Sequence, residues 1–173
     1  MRVSSWGESV FGNPCRGCGF QWEIDIQTAV EVIRSIPSRY AALIGDRAGT
    51  TRIDALEWSS VEYVCHVTDN LRIWSERLAA ASVGGSTEVG TYDTDLLARA
   101  RAYDRVPLQG ALWSLGRAAE DWSAAIIGAQ QRDIVLNHPD RGQQTVQDIA
   151  RNNTHDAIHH AWDIERIEIA GAP

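Results

Sequence analysis

The sequence contains no lysine; all 16 of its basic residues are arginine. Arginine codons are GC-rich and lysine codons AT-rich, so this usage points to a high-GC genome. Acidic residues outnumber basic ones, 23 to 16, giving a net charge of −7. That argues against a nucleic-acid binder, which needs a basic face to neutralise phosphates. Long apolar runs are also missing. None approaches the roughly 18 residues of a membrane span, so no membrane insertion is expected. The N-terminal MRVSSWGESVFGNPC has no apolar run of signal-peptide length, which predicts a cytoplasmic protein. Cysteine is scarce, at three residues, so no disulfide scaffold is expected. A chain of this length needs none, because it buries roughly 70% of the surface it exposes when unfolded.

What is present fits one globular domain. Apolar residues make up 44% and charged residues 23%, which excludes wholesale disorder. Seven tryptophans are an unusual number for 173 residues, and several must fill the core or line a cleft.

The first 22 residues read as loop, with Gly7, Gly12, Pro14, Gly17 and Gly19 around Cys15-Arg-Gly-Cys18-Gly-Phe20. A first helix is expected from Asp25 to Ile44, kinked or split near Ile36 by Pro37. Ser59-Ser60-Val61-Glu62 is a capping-box pattern, and Val61, Val64, Val67, Leu71, Trp74 and Leu78 follow at helical spacing to about Val83. A short helix is expected from Thr94 to Tyr103. Pro107 then opens a helix running to about Ile127. Residues 131–144 have a strand-turn texture, read as a small β-hairpin or an ordered loop. The last helix is expected from Thr145 to Ile167. Four main helices predict an all-α four-helix bundle over residues 24–173, preceded by an N-terminal loop over 1–23.

The chemistry concentrates in the last helix, where three of the five histidines fall between His155 and His160. Residues four apart share a helix face, so His155 with His159, or Asp156 with His160, could chelate a metal. Helical phase separates the pairs. Val146, Ile149, Ala150, Ala157, Ile164 and Ile167 define an apolar arc; His160 and Asn153 fall inside it and Asp156 at its edge. His155 and His159 fall on the opposite side, where a solvated face is expected. A carboxylate and an imidazole facing the interior need compensation, from a metal or from each other. His66, beside the apolar stripe of the second long helix, is the candidate third ligand; the alternative is an amphipathic surface position. His138 and Cys65 are weaker candidates.

Two segments together resemble the DinB/YfiT-like metalloprotein superfamily. One is Trp58-Ser-Ser-Val-Glu62-Tyr63-Val-Cys65-His66-Val-Thr-Asp69 with Trp74-Ser-Glu-Arg77-Leu78. The other is Thr145-Val146-x-x-Ile149-Ala150-Arg151-Asn-Asn-Thr-His155-Asp156-x-x-His159-His160-x-x-Asp163-Ile164. The resemblance spans residues 24–167, and an actinobacterial branch with a Cys-x-x-Cys-Gly-Phe start resembles residues 15–20. It implies a four-helix bundle, often dimeric, that holds a divalent metal on one histidine of the second helix and two residues four apart on the last. Placed on the family pattern through Asp163-Ile164, the set is His66, Asp156 and His160. Many relatives use three histidines, and the mycothiol-dependent maleylpyruvate isomerases use His, Glu and His. This chain departs from both with an aspartate.

Two nitrogens and one carboxylate suit Zn²⁺ first, and Ni²⁺ or Fe²⁺ also. The resemblance implies a metal-dependent thiol S-transferase or a related thiol-dependent enzyme, with a low-molecular-weight thiol such as mycothiol as cosubstrate. The alternatives are a bundle that binds metal or a small ligand without catalysis, in stress or sensing, and a relative whose site no longer holds metal. The expected partners are a small-molecule substrate and a second copy of the chain. Asp163 is a candidate acceptor for the second N–H of His160. Asn70 and Asn153 are candidate substrate contacts, and Tyr63, Trp74 and Arg77 candidate cleft residues. Cys15 and Cys18 have half a zinc-knuckle spacing with no second Cys-x-x-Cys, which leaves a reduced pair, a separate metal site or a disulfide.

Overall fold

The computed structural model describes residues 7–171; expectations for residues 1–6, 172 and 173 lie outside the described residues. Six helices and a hairpin follow in order: α1 (Glu8–Phe11), α2 (Ile26–Ile44), α3 (Ser60–Ser82), α4 (Thr94–Ala100), a 3-10 turn (Tyr103–Arg105), α5 (Leu108–Gln130), β1 (Val135–His138), β2 (Gly142–Thr145) and α6 (Val146–Ala170).

The helix ends follow local chemistry. The Asp25 side chain accepts from the Thr28 N–H at 2.7 Å and starts α2, and Gly45, with φ 63°, ends it. At the start of α3 the Glu62 carboxylate reaches back to the Ser59 N–H, 2.9 Å away. Thr145 and Asp148 cap α6 reciprocally, at 3.0 and 3.2 Å. The split expected at Pro37 does not occur. α2 runs unbroken through it, because Ile33, Ile36 and Tyr40 are fully buried on both sides of the proline and packing holds the turn.

α2, α3, α5 and α6 form the bundle. α2 packs on α5 and α6, and so does α3. α2 and α3 therefore face each other across one diagonal of the bundle and α5 and α6 across the other, whereas α3 and α5 pack side by side. Leu71, Leu78, Leu115, Trp122, Ile126, Ile149, Ile164 and Ile167 fill the centre with the α2 residues. Tyr40 of α2 donates to the Ala157 carbonyl of α6 at 2.8 Å.

The connections that follow α3 and α5 meet at one end of the bundle. The strand-turn segment is a hairpin with Val135 opposite Thr145 and His138 opposite Gly142. Asn137 of β1 exchanges backbone hydrogen bonds with Thr87 and Val89 at 2.9 and 3.0 Å, so the chain after α3 is tied to the hairpin. The expected helix 94–103 is shorter, ending at Ala100 before the 3-10 turn. Buried Asp69 of α3 fixes that turn by accepting from Arg101 at 2.6 Å and Tyr103 at 2.5 Å.

The N-terminal segment corrects the expectation of plain loop. It contains α1, and Cys15, Phe20 and Trp22 form a second small core with Phe11 and Ile158 of α6. Among the described residues no helix is long and apolar enough to cross a membrane.

Candidate metal centre

α3 and α6 adjoin in the bundle, and their facing residues meet at a cleft of about 380 Å³. That volume suits a small molecule. His66 of α3 and Asp156 and His160 of α6 converge there, each offering a donor atom, all within 4.8 Å of one another. Asp156 Oδ1 lies 3.6 Å from His66 Nε2 and 3.5 Å from His160 Nε2. His66 is buried rather than a surface residue, at 8% exposure. Trp58 covers its ring at 4.9 Å, and Tyr63 stacks on His160 at 4.7 Å.

The partners of these groups fix their orientation. His160 Nδ1 is 3.0 Å from Asp163 Oδ2, and that carboxylate also accepts from Arg166. With Nδ1–H donated to Asp163, the Nε2 lone pair faces Asp156 and His66. Asn70 donates to Asp156 Oδ2 at 2.8 Å and leaves Oδ1 to the histidines. Tyr92 donates to Asn70 Oδ1 at 3.2 Å. Asn153 faces the cleft but is committed to the core, accepting from Trp122 Nε1 at 2.9 Å.

Electrostatics couples the set. Burial works against the Asp156 carboxylate, yet the two imidazoles hold it well below the usual range. Burial also opposes the His160 cation, but Asp156 and Asp163 push its pKa up to about 9. Burial pushes the Tyr63 phenol up to about 12. The donor set fits a divalent ion: two imidazoles and one carboxylate oxygen, oriented from behind and open to the cleft on one side.

Sequence reasoning missed part of the cleft. Arg141 and Tyr92 line it beside Arg77, His138 and Trp74. Arg77 and Arg141 both lie over the Trp74 ring, at 4.7 and 5.4 Å. Tyr92 and Arg141 come from irregular connections, where no periodicity assigns a side chain a direction. Cys65 is buried in the main core. Burial pushes its thiol up to about 12, as for an inert core cysteine.

His155 and His159 also need correction, since they are not on a solvated face. The N-terminal segment covers them: Phe11 and Trp22 each lie 4.5 Å from the His155 ring, and Cys15 Sγ is 3.6 Å from His159 Nδ1. Phase located the side of α6 turned away from the bundle but could not show that another segment packs there.

No family model matches the chain, and no curated protein matches it in sequence. A solved structure, YfiT from Bacillus subtilis, superposes with a TM-score of 0.67 over 82% of this chain and 86% of its own, at 18% identity. It is described as a probable metal-dependent hydrolase with an unusual four-helix bundle topology. The fold of this chain is thus a DinB/YfiT-like four-helix bundle.

Proposed function

We propose that this chain belongs to the DinB/YfiT-like superfamily and is a metal-dependent enzyme acting on a small anionic molecule. The specific reading is thiol S-transfer. One observation carries the metal dependence: donor atoms of His66, Asp156 and His160 converge at the cleft, within 4.8 Å of one another. A divalent ion held there, Zn²⁺ before Ni²⁺ or Fe²⁺, supplies a Lewis acid that lowers the pKa of a thiol or a water in the cleft.

The chain's own residues do the rest. Asp163 fixes the His160 tautomer, and Asn70 aims Asp156. Arg77 and Arg141 offer two guanidiniums to an anionic group on the substrate or the thiol. Trp74 gives an apolar wall for the remainder. A carboxylate among the ligands lowers the net charge of the loaded site relative to three histidines, which makes it a milder Lewis acid. A thiol ionises more readily than water, so this donor set favours a thiol nucleophile. Hydrolysis is the second reading, favoured by the description of the structural neighbour.

The test is turnover of small electrophiles carrying a carboxylate by the metal-loaded protein, with and without a low-molecular-weight thiol. Metal-dependent and thiol-dependent turnover, lost in His66→Ala and His160→Ala, is the expected result. Metal-dependent turnover without thiol would move the chain to hydrolysis. Turnover indifferent to metal and to both variants would overturn the proposal.

A further inference from the structure

The second face of α6 carries a cluster separate from the His66, Asp156 and His160 set. Cys15 and Cys18 come from the N-terminal segment, and His155 and His159 from α6. Their four donor atoms all lie within 4.8 Å of one another. Zinc sits about 2.3 Å from thiolate sulfur and about 2.0 Å from imidazole nitrogen. A tetrahedral site therefore separates its donors by roughly 3.3 to 3.8 Å. Cys15 Sγ and His159 Nδ1, 3.6 Å apart, already stand at that spacing.

Three further observations point to a ligand. His155 is only 4% exposed, yet its Nε2 has no hydrogen-bond partner. A buried polar atom without a partner is costly, and an ion nearby would remove that cost. The Cys15–Cys18 loop is built as a knuckle. Gly19 N–H donates to the Cys15 carbonyl at 2.9 Å, and the Cys15 N–H donates to the Phe20 carbonyl at 2.8 Å. Gly17 sits so close to α6 that an added Cβ would lie 3.0 Å from His159 and 3.1 Å from Trp162. Finally, the spacings are those of a Cys₂His₂ zinc site, Cys-x₂-Cys and His-x₃-His, although the two halves lie at opposite ends of the sequence.

We propose that Cys15, Cys18, His155 and His159 form a second metal site, closed by four protein ligands, which binds Zn²⁺ and pins the N-terminal segment across α6. Two thiolates select zinc over harder ions. Binding releases the two thiol protons to solvent. The site has no open position and is structural. It does influence the cleft, because Phe11, His155 and His159 line the cleft as well, and the His159 and His160 rings lie 6.0 Å apart. This inference does not depend on the reading of the cleft.

The test uses the untagged full chain, stripped with chelator under reducing conditions and titrated with Zn²⁺. Two ions per chain are expected in the wild type. One is expected in Cys15→Ser/Cys18→Ser, and one in His66→Ala/His160→Ala. Cobalt(II) in the His66→Ala/His160→Ala protein should give thiolate-to-cobalt charge-transfer absorption in the near ultraviolet, with the intense visible bands of a tetrahedral ion. Should the cysteine variant fail to fold, X-ray absorption of the zinc-loaded wild type decides. Sulfur neighbours at about 2.3 Å support the site, and only nitrogen and oxygen neighbours overturn it. A Cys15–Cys18 disulfide in freshly isolated protein, trapped by alkylation, would also overturn it. A wild type binding one sulfur-ligated ion would sustain this site while removing the one in the cleft.

Discussion

The His160 ring is held at both nitrogens, Nδ1 by Asp163 at 3.0 Å and Nε2 beside Asp156 at 3.5 Å. Replacing Asp163 by Asn keeps the size but weakens the acceptor. Loss of such a supporting carboxylate should cost about 10- to 100-fold in metal affinity. Titration of Asp163→Asn with Zn²⁺ checks this, with helical circular dichroism expected to be unchanged. At this scale the sequence was partly legible. Phase along α6 placed Asp156 and His160 toward the interior, and the i,i+3 offset placed Asp163 within reach of His160. His155 and His159 were not legible, because phase reports only the side facing the bundle. Their signal lay in the matching Cys-x₂-Cys and His-x₃-His spacings, read as two unrelated features. Arg141 gave no signal, since a turn residue has no periodic face.

Among the elements, α6 presents two pairs of i,i+4 candidate ligands offset by one residue, so they point to neighbouring faces about 100° apart. One pair meets α3, the other the N-terminal segment. If an ion pins that segment, Arg16, exposed in the knuckle, should resist trypsin in zinc-loaded protein and be cut faster after chelation. N-terminal sequencing of the fragments checks this; equal rates would show that the ion does not hold the segment.

The hairpin makes a separate prediction about pH. His138 is buried, and its Nδ1 accepts from the Asp140 N–H at 3.2 Å. Burial, then the cations Arg141 and Arg77, lower its pKa from the ordinary 6.5, against a smaller opposite effect of Asp140. The unfolded chain therefore takes up this proton first as pH falls. The folded state should lose stability as pH drops from 6.5 toward the lowered value. Urea melts of His138→Gln should show a flatter dependence over that window. An unchanged slope would remove His138 as a cause. The hairpin itself was legible from Ile134-Val135-Leu136 and the Asn137–Gly142 turn. Its pairing with Thr87 and Val89 was not, because a two-bond tether leaves no pattern in either segment.

In the whole molecule α2 and α3 lie across one diagonal of the bundle and α5 and α6 across the other, while α3 and α5 pack side by side. Four helices and their boundaries were readable from caps and periodicity. The diagonal arrangement was not, since amphipathic stripes show which face is buried but not which neighbour buries it. Trp122 links core and cleft, being fully buried while donating to Asn153. Trp122→Ala should lower stability by about 3 to 5 kcal/mol in chemical denaturation. It should also loosen the α6 segment that carries both ligand pairs, which weaker Zn²⁺ binding would show.

The most direct measurement is an anomalous difference map at the absorption edge of whatever metal X-ray fluorescence finds in crystals of protein purified without added metal. We expect a peak between His66, Asp156 and His160, within coordination distance of all three. A map with no peak there, from protein whose cleft is intact and chelator-free, would contradict the metal-dependent reading of this fold.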